Sequence, residues 1–304
     1  MKVSWRWRRA VSICAGTLLM CCGMLRVQAE TMVEGWIRES TVFSAAGSPY
    51  IIDNNVTVEG AGDEEPATVL TIEAGTEIQL ARAAVLNISQ NAALDVQGTA
   101  ERPVLFTRTA QAATQNEYWQ SVFIKDGART SECTINQAVF EYGGGAYDNR
   151  GLMTINAPTL GTPVQISNCT FRRSQHSGLV IDSGYGVHGG WDAQAVVTGC
   201  EFVDNAGRGI WIRQAAQTWI SGCFFAGRGN NIAVGLLDTM YPVWDGQNTA
   251  DNDHIITLET ARIVESQDRL RFPGTLENGD PIPYVPQGQL SISEDHDATL
   301  IIDK

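Results

Sequence analysis

After residue 30 the apolar residues of this chain come in short runs broken by Gly, Pro, Asn and Asp, with no sustained helical spacing. The pattern predicts strands at Val69–Ile72, Thr76–Leu80, Val85–Ile88, Ala93–Val96, Val104–Thr107 and Ser121–Ile124. Gly75, Gly98 and Pro103 punctuate them. Thirty glycines and ten prolines scattered among such runs read as an all-β chain with many turns.

Within that pattern lies a repeat. Four segments superimpose without gaps: Ile135 to Phe140, Ile166 to Phe171, Val197 to Phe202 and Ile220 to Phe225. Each has an aliphatic residue, a polar pair often ending in Asn or Gly, a small residue (Ala138, Cys169, Cys200, Cys223), and Phe two places on. Residues two apart on a strand share a face, so the small residue and the Phe both point inward. The aliphatic residue, three places before the small one, would face outward on a straight strand. A bend at the polar pair turns it inward, and Asn and Gly tolerate the left-handed backbone such a bend requires. The unit is strand, corner, strand. A further strand follows at Gly178–Ile181 and Gly209–Ile212, and more loosely at Asn231–Val234.

The repeats are spaced by 31, 31 and 23 residues, room for a coil of three short strands with loops of variable length. Stacked coils place like residues ~4.8 Å apart in columns, so Phe140, Phe171, Phe202 and Phe225 should form one inner stack. The expected architecture is a single-stranded parallel β-helix, a solenoid, over residues 30–245. Residues 246–304 are expected to be a less regular flank ending in the start of a second module. There Pro283-Tyr284, Leu290–Ile292 and Thr299–Ile302 echo Pro49-Tyr50, Val56–Val58 and Thr68–Ile72.

Several motifs together carry a family resemblance: Ser48-Pro-Tyr50, Val69–Gly75, Leu94–Thr99, Pro103–Thr107, Tyr118-Trp119 and Glu141-Tyr-Gly-Gly144. Over roughly residues 42–245 the chain resembles bacterial right-handed parallel β-helix repeat proteins of the pectin-lyase-like superfamily. The resemblance implies the right-handed coil. It does not select an activity, because that superfamily spans polysaccharide lyases, hydrolases, adhesins and members without known chemistry.

The N-terminus changes the setting. Lys2, Arg6, Arg8 and Arg9 precede an apolar stretch from Ala10 to Leu25, and Val27-Gln28-Ala29 supplies compact residues for a signal peptidase. Residues 1–29 are expected to be a signal peptide and the mature chain to begin at Glu30. The apolar run falls short of the ~20 residues of a transmembrane helix, and Met20 before Cys21 disfavours lipidation. Secretion to the periplasm, the outer surface or the medium follows as the expectation. Losing five cations and no acid leaves 16 basic against 34 acidic residues, a mature net charge of about −18. Such a surface repels nucleic acid and anionic membrane.

Candidate chemistry is sparse. Cys169, Cys200 and Cys223 share a ladder position while Cys133 does not; buried thiols are the preferred reading over disulfides or a metal site, since no CxxC spacing occurs. Alignment places Glu141 beside Arg172 and Arg173 beside Asp204, as surface ion pairs. One edge is more suggestive. Asp182 and Arg213 each end a matched strand, and Trp211 lies between two inward residues. The insertion holding Tyr185, His188, Trp191 and Asp192 leaves the same edge. Aromatic faces beside carboxylate and guanidinium groups suit sugar binding; alternatively the glycine-rich insertion folds over Trp211 as a hydrophobic cluster. The resemblance casts Arg213 as a lyase base and Asp182 as its carboxylate partner, with Ca²⁺ the one cofactor it admits. No acidic cluster on matched strands forms a Ca²⁺ site, Asp182 lacks the second carboxylate of an inverting hydrolase, and no metal site is expected. The functional expectation is therefore a non-catalytic exported β-helix that binds a glycan or a surface protein, or serves as a structural module. The alternative is a polysaccharide lyase or glycoside hydrolase acting on an acidic polysaccharide.

Overall fold

The computed structural model describes residues 30–62, 65–145, 150–156, 162–182, 193–213 and 217–227, together with strand segments between 232 and 302. Three parallel sheets run along the molecule, each built from every third strand of the chain. Sheet 1 holds nine of the described strands, from Thr31–Met32 through Ala138–Glu141 to Thr249–Ala250. Sheet 2 holds ten, from Gly35–Ile37 through Ile210–Arg213 to Tyr284–Pro286. Sheet 3 holds eight, from Thr41–Phe43 through Val164–Ser167 to Tyr241–Trp244. A chain that visits three sheets in rotation and pairs each strand with the one three places on is winding as a coil. The core is the channel between the sheets, filled by one inward side chain from every second position.

The six strands expected in the N-terminal half all form, with ends that differ by a residue or two. Strand Gly151–Asn156 was not foreseen. Its run of Leu152, Met153, Thr154 and Ile155 is buried on both faces, so it shows no alternation.

The repeat is realised as the spacing requires. Gln137, Asn168, Gly199 and Gly222 take φ values of 52, 54, 61 and 60°, turning the chain from sheet 3 into sheet 1. The N–H groups of Gln137, Asn168 and Gly199 each donate to a carbonyl of the next coil, so the corner remains part of the ladder. Inside, Phe140 pairs with Phe171 and Phe171 with Phe202, in register. Their rings stack at 4.9 and 5.1 Å, and Phe202 stacks on Phe225 at 5.0 Å. Phe106 extends the column by one coil, stacked on Phe140 at 4.5 Å. A second left-handed corner, unforeseen, turns sheet 1 towards sheet 2 at Tyr142, Arg173, Asp204 and Gly227.

That second corner explains two of the motifs behind the family resemblance. Trp119 follows the one described α-helix, Ala110–Thr114, and is fully buried. Its indole N–H donates to the Glu141 carbonyl at 2.9 Å. A methyl group on Gly143 would come within 2.4 Å of the indole ring. Tyr118-Trp119 and Glu141-Tyr-Gly-Gly are thus one packing unit, in which the glycine makes room for the ring.

All four cysteines of the described chain are free and buried. Cys169, Cys200 and Cys223 stand on the inner column beside the Phe stack, and Cys133 accepts from the Leu94 N–H at 3.5 Å. Burial pushes the Cys133 thiol up to about 11. Burial likewise raises Cys200, and Cys223 is raised by its hydrogen bond with Cys200 and then by burial.

The ladder does not stop at residue 245. Strand Thr249–Ala250 joins sheet 1, and Ile255–Thr260 and Tyr284–Pro286 join sheet 2. Arg262–Ile263 pairs with Ser291–Ile292, and Arg269–Phe272 with Thr299–Ile302. The C-terminal echo is displaced by one side of the coil: Tyr50–Ile52 lies in sheet 1, Tyr284–Pro286 in sheet 2.

Candidate functional site

The edge singled out in the sequence is the outer face of sheet 2. Strands Ser177–Asp182 and Ile210–Arg213 pair so that Val180 lies beside Trp211 and Asp182 beside Arg213. Arg213 Nη1 meets Asp182 Oδ2 at 3.2 Å, and both side chains are largely covered, 16% and 10% exposed. The same outward column carries Lys125 and Asn156 on the two preceding coils. The Lys125 ammonium is held below its usual range, by burial first and then by the charge of Arg150.

Trp211 points outward from its strand, as the alternation demands, yet the residue is only 9% exposed. Two guanidinium groups account for part of its cover: Arg208 lies 4.2 Å and Arg213 4.7 Å from the ring centre. Neighbouring outward residues Val180 and Thr154 are also buried, so this stretch of the sheet is not an open face. Among the described residues, the indole N–H of Trp211 and the Nε–H of Arg213 are buried and find no acceptor. Leaving a buried donor unmatched costs about 1–3 kcal/mol. Arg208 was not identified from the sequence; its only signal is the i, i+3 spacing to Trp211 across the start of a strand. Tyr185, His188, Trp191 and Asp192 lie outside the described residues.

The two expected ion-pair columns differ. Arg172 reaches Glu141 through Nε at 2.8 Å and Nη2 at 2.7 Å, while Thr107 donates to the other carboxylate oxygen at 3.1 Å. At the second column Arg173 and Asp204 both lie at the left-handed corner, which takes them off the strand face, and Arg173 donates to the Tyr142 hydroxyl of the coil before. Among the described residues no group of three or more His, Cys, Asp or Glu side chains is placed to hold a metal ion.

The rings that are open to solvent lie elsewhere. Trp219, on the outer face of sheet 3, is 50% exposed, and so is Trp36 on the first strand of sheet 2. Neither was singled out from sequence; Trp219 is one place before the inward Ile220, which marks it as outward.

Two family models match, and they divide the chain between them. A pectate-lyase like beta helix domain covers residues 35–155, and a right handed beta helix region covers residues 154–268. The junction falls inside strand Gly151–Asn156, so the two matches abut along one unbroken ladder. The chain is a right-handed parallel β-helix. The match agrees with the pectin-lyase-like resemblance, in handedness and in the three-sheet coil. No curated protein matches this β-helix, and no solved structure does.

Proposed function

We propose that this β-helix is exported and non-catalytic, and that it binds a glycan or a surface protein along the outer faces of its coil. The observation that carries the reading is the state of the Asp182–Arg213 pair. Each group neutralises the other at 3.2 Å beneath a covered ring, so neither is presented as a base or as a carboxylate for substrate. Chemistry of the lyase or hydrolase kind needs such a group within hydrogen-bond reach of the proton or bond it acts on. Among the described residues, Trp211 Nε1 and Arg213 Nε are buried away from any partner's reach. The rings a partner can reach are Trp36 and Trp219, each half exposed on an outer face, and a ring of that kind stacks on a sugar or an apolar side chain without any bond being made or broken.

Export rests on the leader read from residues 1–29. It predicts a mature N-terminus at Glu30, read directly by the intact mass of the secreted protein. The binding reading is tested by incubating that protein with a panel of polysaccharides, following both retention and ultraviolet absorbance. Retention without new absorbance or reducing ends is expected. Accumulation of unsaturated products, abolished by Arg213→Ala, would replace the proposal with a lyase.

A further inference from the structure

Sheet 3 differs from its two neighbours in charge. Its four consecutive strands Thr134–Asn136, Val164–Ser167, Ala193–Thr198 and Gln217–Ser221 contain no Asp, Glu, Lys or Arg, in a chain that is 18% charged. Register makes this a surface property. Trp219 stands in one outward column with Val196, Gln165 and Thr134 on the three coils before it. The adjacent column is Ser221, Thr198, Ser167 and Asn136. The face is a wall of mainly hydroxyls and amides; Trp219, half open to solvent, stands between Val196 and Val243, and at the other end the Thr134 hydroxyl donates to Asp95 at 2.5 Å.

The wall is ordered before any partner arrives. Asn136 Oδ1 accepts from Ser167 Oγ at 2.9 Å and from Asn168 Nδ2 at 3.1 Å, and Gln165 Nε2 donates to the Pro163 carbonyl at 3.0 Å. Hydroxyl and amide groups keep further donor and acceptor capacity after one such bond. The strand ladder spaces them regularly along the coil. An exposed flat ring next to uncharged hydrogen-bonding groups fits a ligand with apolar CH faces and many hydroxyls. These four strands offer no cation to a polyanion, and the column meets a carboxylate only one coil beyond Thr134, at Asp95.

From this we infer that the outer face of sheet 3 binds an uncharged polysaccharide, with Trp219 as the stacking platform and the Ser, Thr, Asn and Gln columns as the hydrogen-bonding track. The inference rests on the glycan-binding reading above, and it moves the contact from the covered Trp211 to another side of the coil.

The test is affinity electrophoresis of the secreted protein through gels containing a neutral β-glucan, galactomannan or xylan, with polygalacturonate as the charged comparison. A neutral polysaccharide should retard the protein. Trp219→Ala should weaken that retardation about ten-fold, an effect of the size of one lost ring stack, and Trp219→Phe should keep part of it. Raising salt from about 0.05 to about 0.5 M should change it less than two-fold, because no ion pair is involved. Phe224, 40% exposed on charged sheet 1, controls for non-specific apolar contact: Phe224→Ala should leave binding unchanged. Trp219 is solvent-exposed, so its variants should melt with the parent. Retardation by polygalacturonate alone, or by a neutral polysaccharide equally with Trp219→Ala, would overturn the inference. If Trp211→Phe removed binding that Trp219→Ala left intact, the glycan-binding reading would stand and this site would fall. If no polysaccharide retarded the protein while a surface protein bound it, the inference would fall and the wider reading would survive.

Discussion

Single side chains in this molecule are judged by the column they stand in. Phe171 is fully buried between two stacked rings, so Phe171→Ala removes a side chain that both neighbouring coils pack against. A loss of about 3–5 kcal/mol in urea unfolding is expected. Gly143→Ala acts by the opposite route, forcing a methyl into the Trp119 ring. Overpacking of this kind costs about 1–3 kcal/mol, and Trp119→Phe in the same chain should recover part of it in a melting experiment. The thiols are inert for an electrostatic reason: a thiolate inside the apolar channel has no solvation, so the neutral form persists. Native protein at pH 8 should take up no iodoacetamide at Cys133 or Cys200, and both should react once urea unfolds the coil. The linkage has a definite sign. An unfolded thiol ionises near pH 9 while Cys133 holds its proton up to about 11. The stability contributed by this burial is therefore full below pH 9 and is lost between about 9 and 11.

At the scale of one coil, the corner decides more than the strands. A left-handed residue other than Gly costs about 1–2 kcal/mol, less for Asn. Gly222 isolates that term, because a Cβ there would have nothing nearer than 3.8 Å. Gly222→Val should destabilise by about that amount with no steric clash to relieve. Gln137→Gly, at the same corner with φ 52°, should gain stability or hold even, the released strain being offset by the entropy of the unfolded glycine. Thermal melts of the two variants would check the argument: Gly222→Val should melt lower than the parent and Gln137→Gly should not. The Asp182–Arg213 pair links adjacent strands rather than coil corners. Arg213→Met takes the cation from a largely covered carboxylate and should destabilise the coil in urea unfolding, with about 3–5 kcal/mol as the upper bound for a pair broken on one side.

For the molecule as a whole, stability is a sum over neighbouring coils, and the charge is spread along all of them. With a formal net charge of −13, self-repulsion acts along the coil. The melting temperature should therefore rise as salt is added from about 0.05 to about 0.5 M, because the screening length shrinks from above to below ~10 Å. The same salt series should leave any glycan retention on sheet 3 changed less than about two-fold. Comparing the two responses separates the charged body of the coil from its uncharged face.

The local pattern by itself determined the architecture, because a period of two along strands and a fixed offset to a polar corner leave few ways to close a coil. The Phe column, the inward thiols, the Glu141–Arg172 contact and the left-handed corners at Asn168 and Gly199 all follow from that offset. Alternation also marked Trp211 as outward, but outward is not the same as open. Whether a ring on the outer face meets water depends on what other parts of the chain lay across it, here Arg208 and Arg213, and no strand period records that. The second corner at Tyr142 and Arg173 escaped for a similar reason, since neither residue type favours left-handed backbone and only the ladder's closure imposes it. An uncharged wall on sheet 3 is written in four strands scattered over nearly ninety residues. It becomes one surface only when the coils stack, because register, and not proximity in the chain, decides which side chains are neighbours.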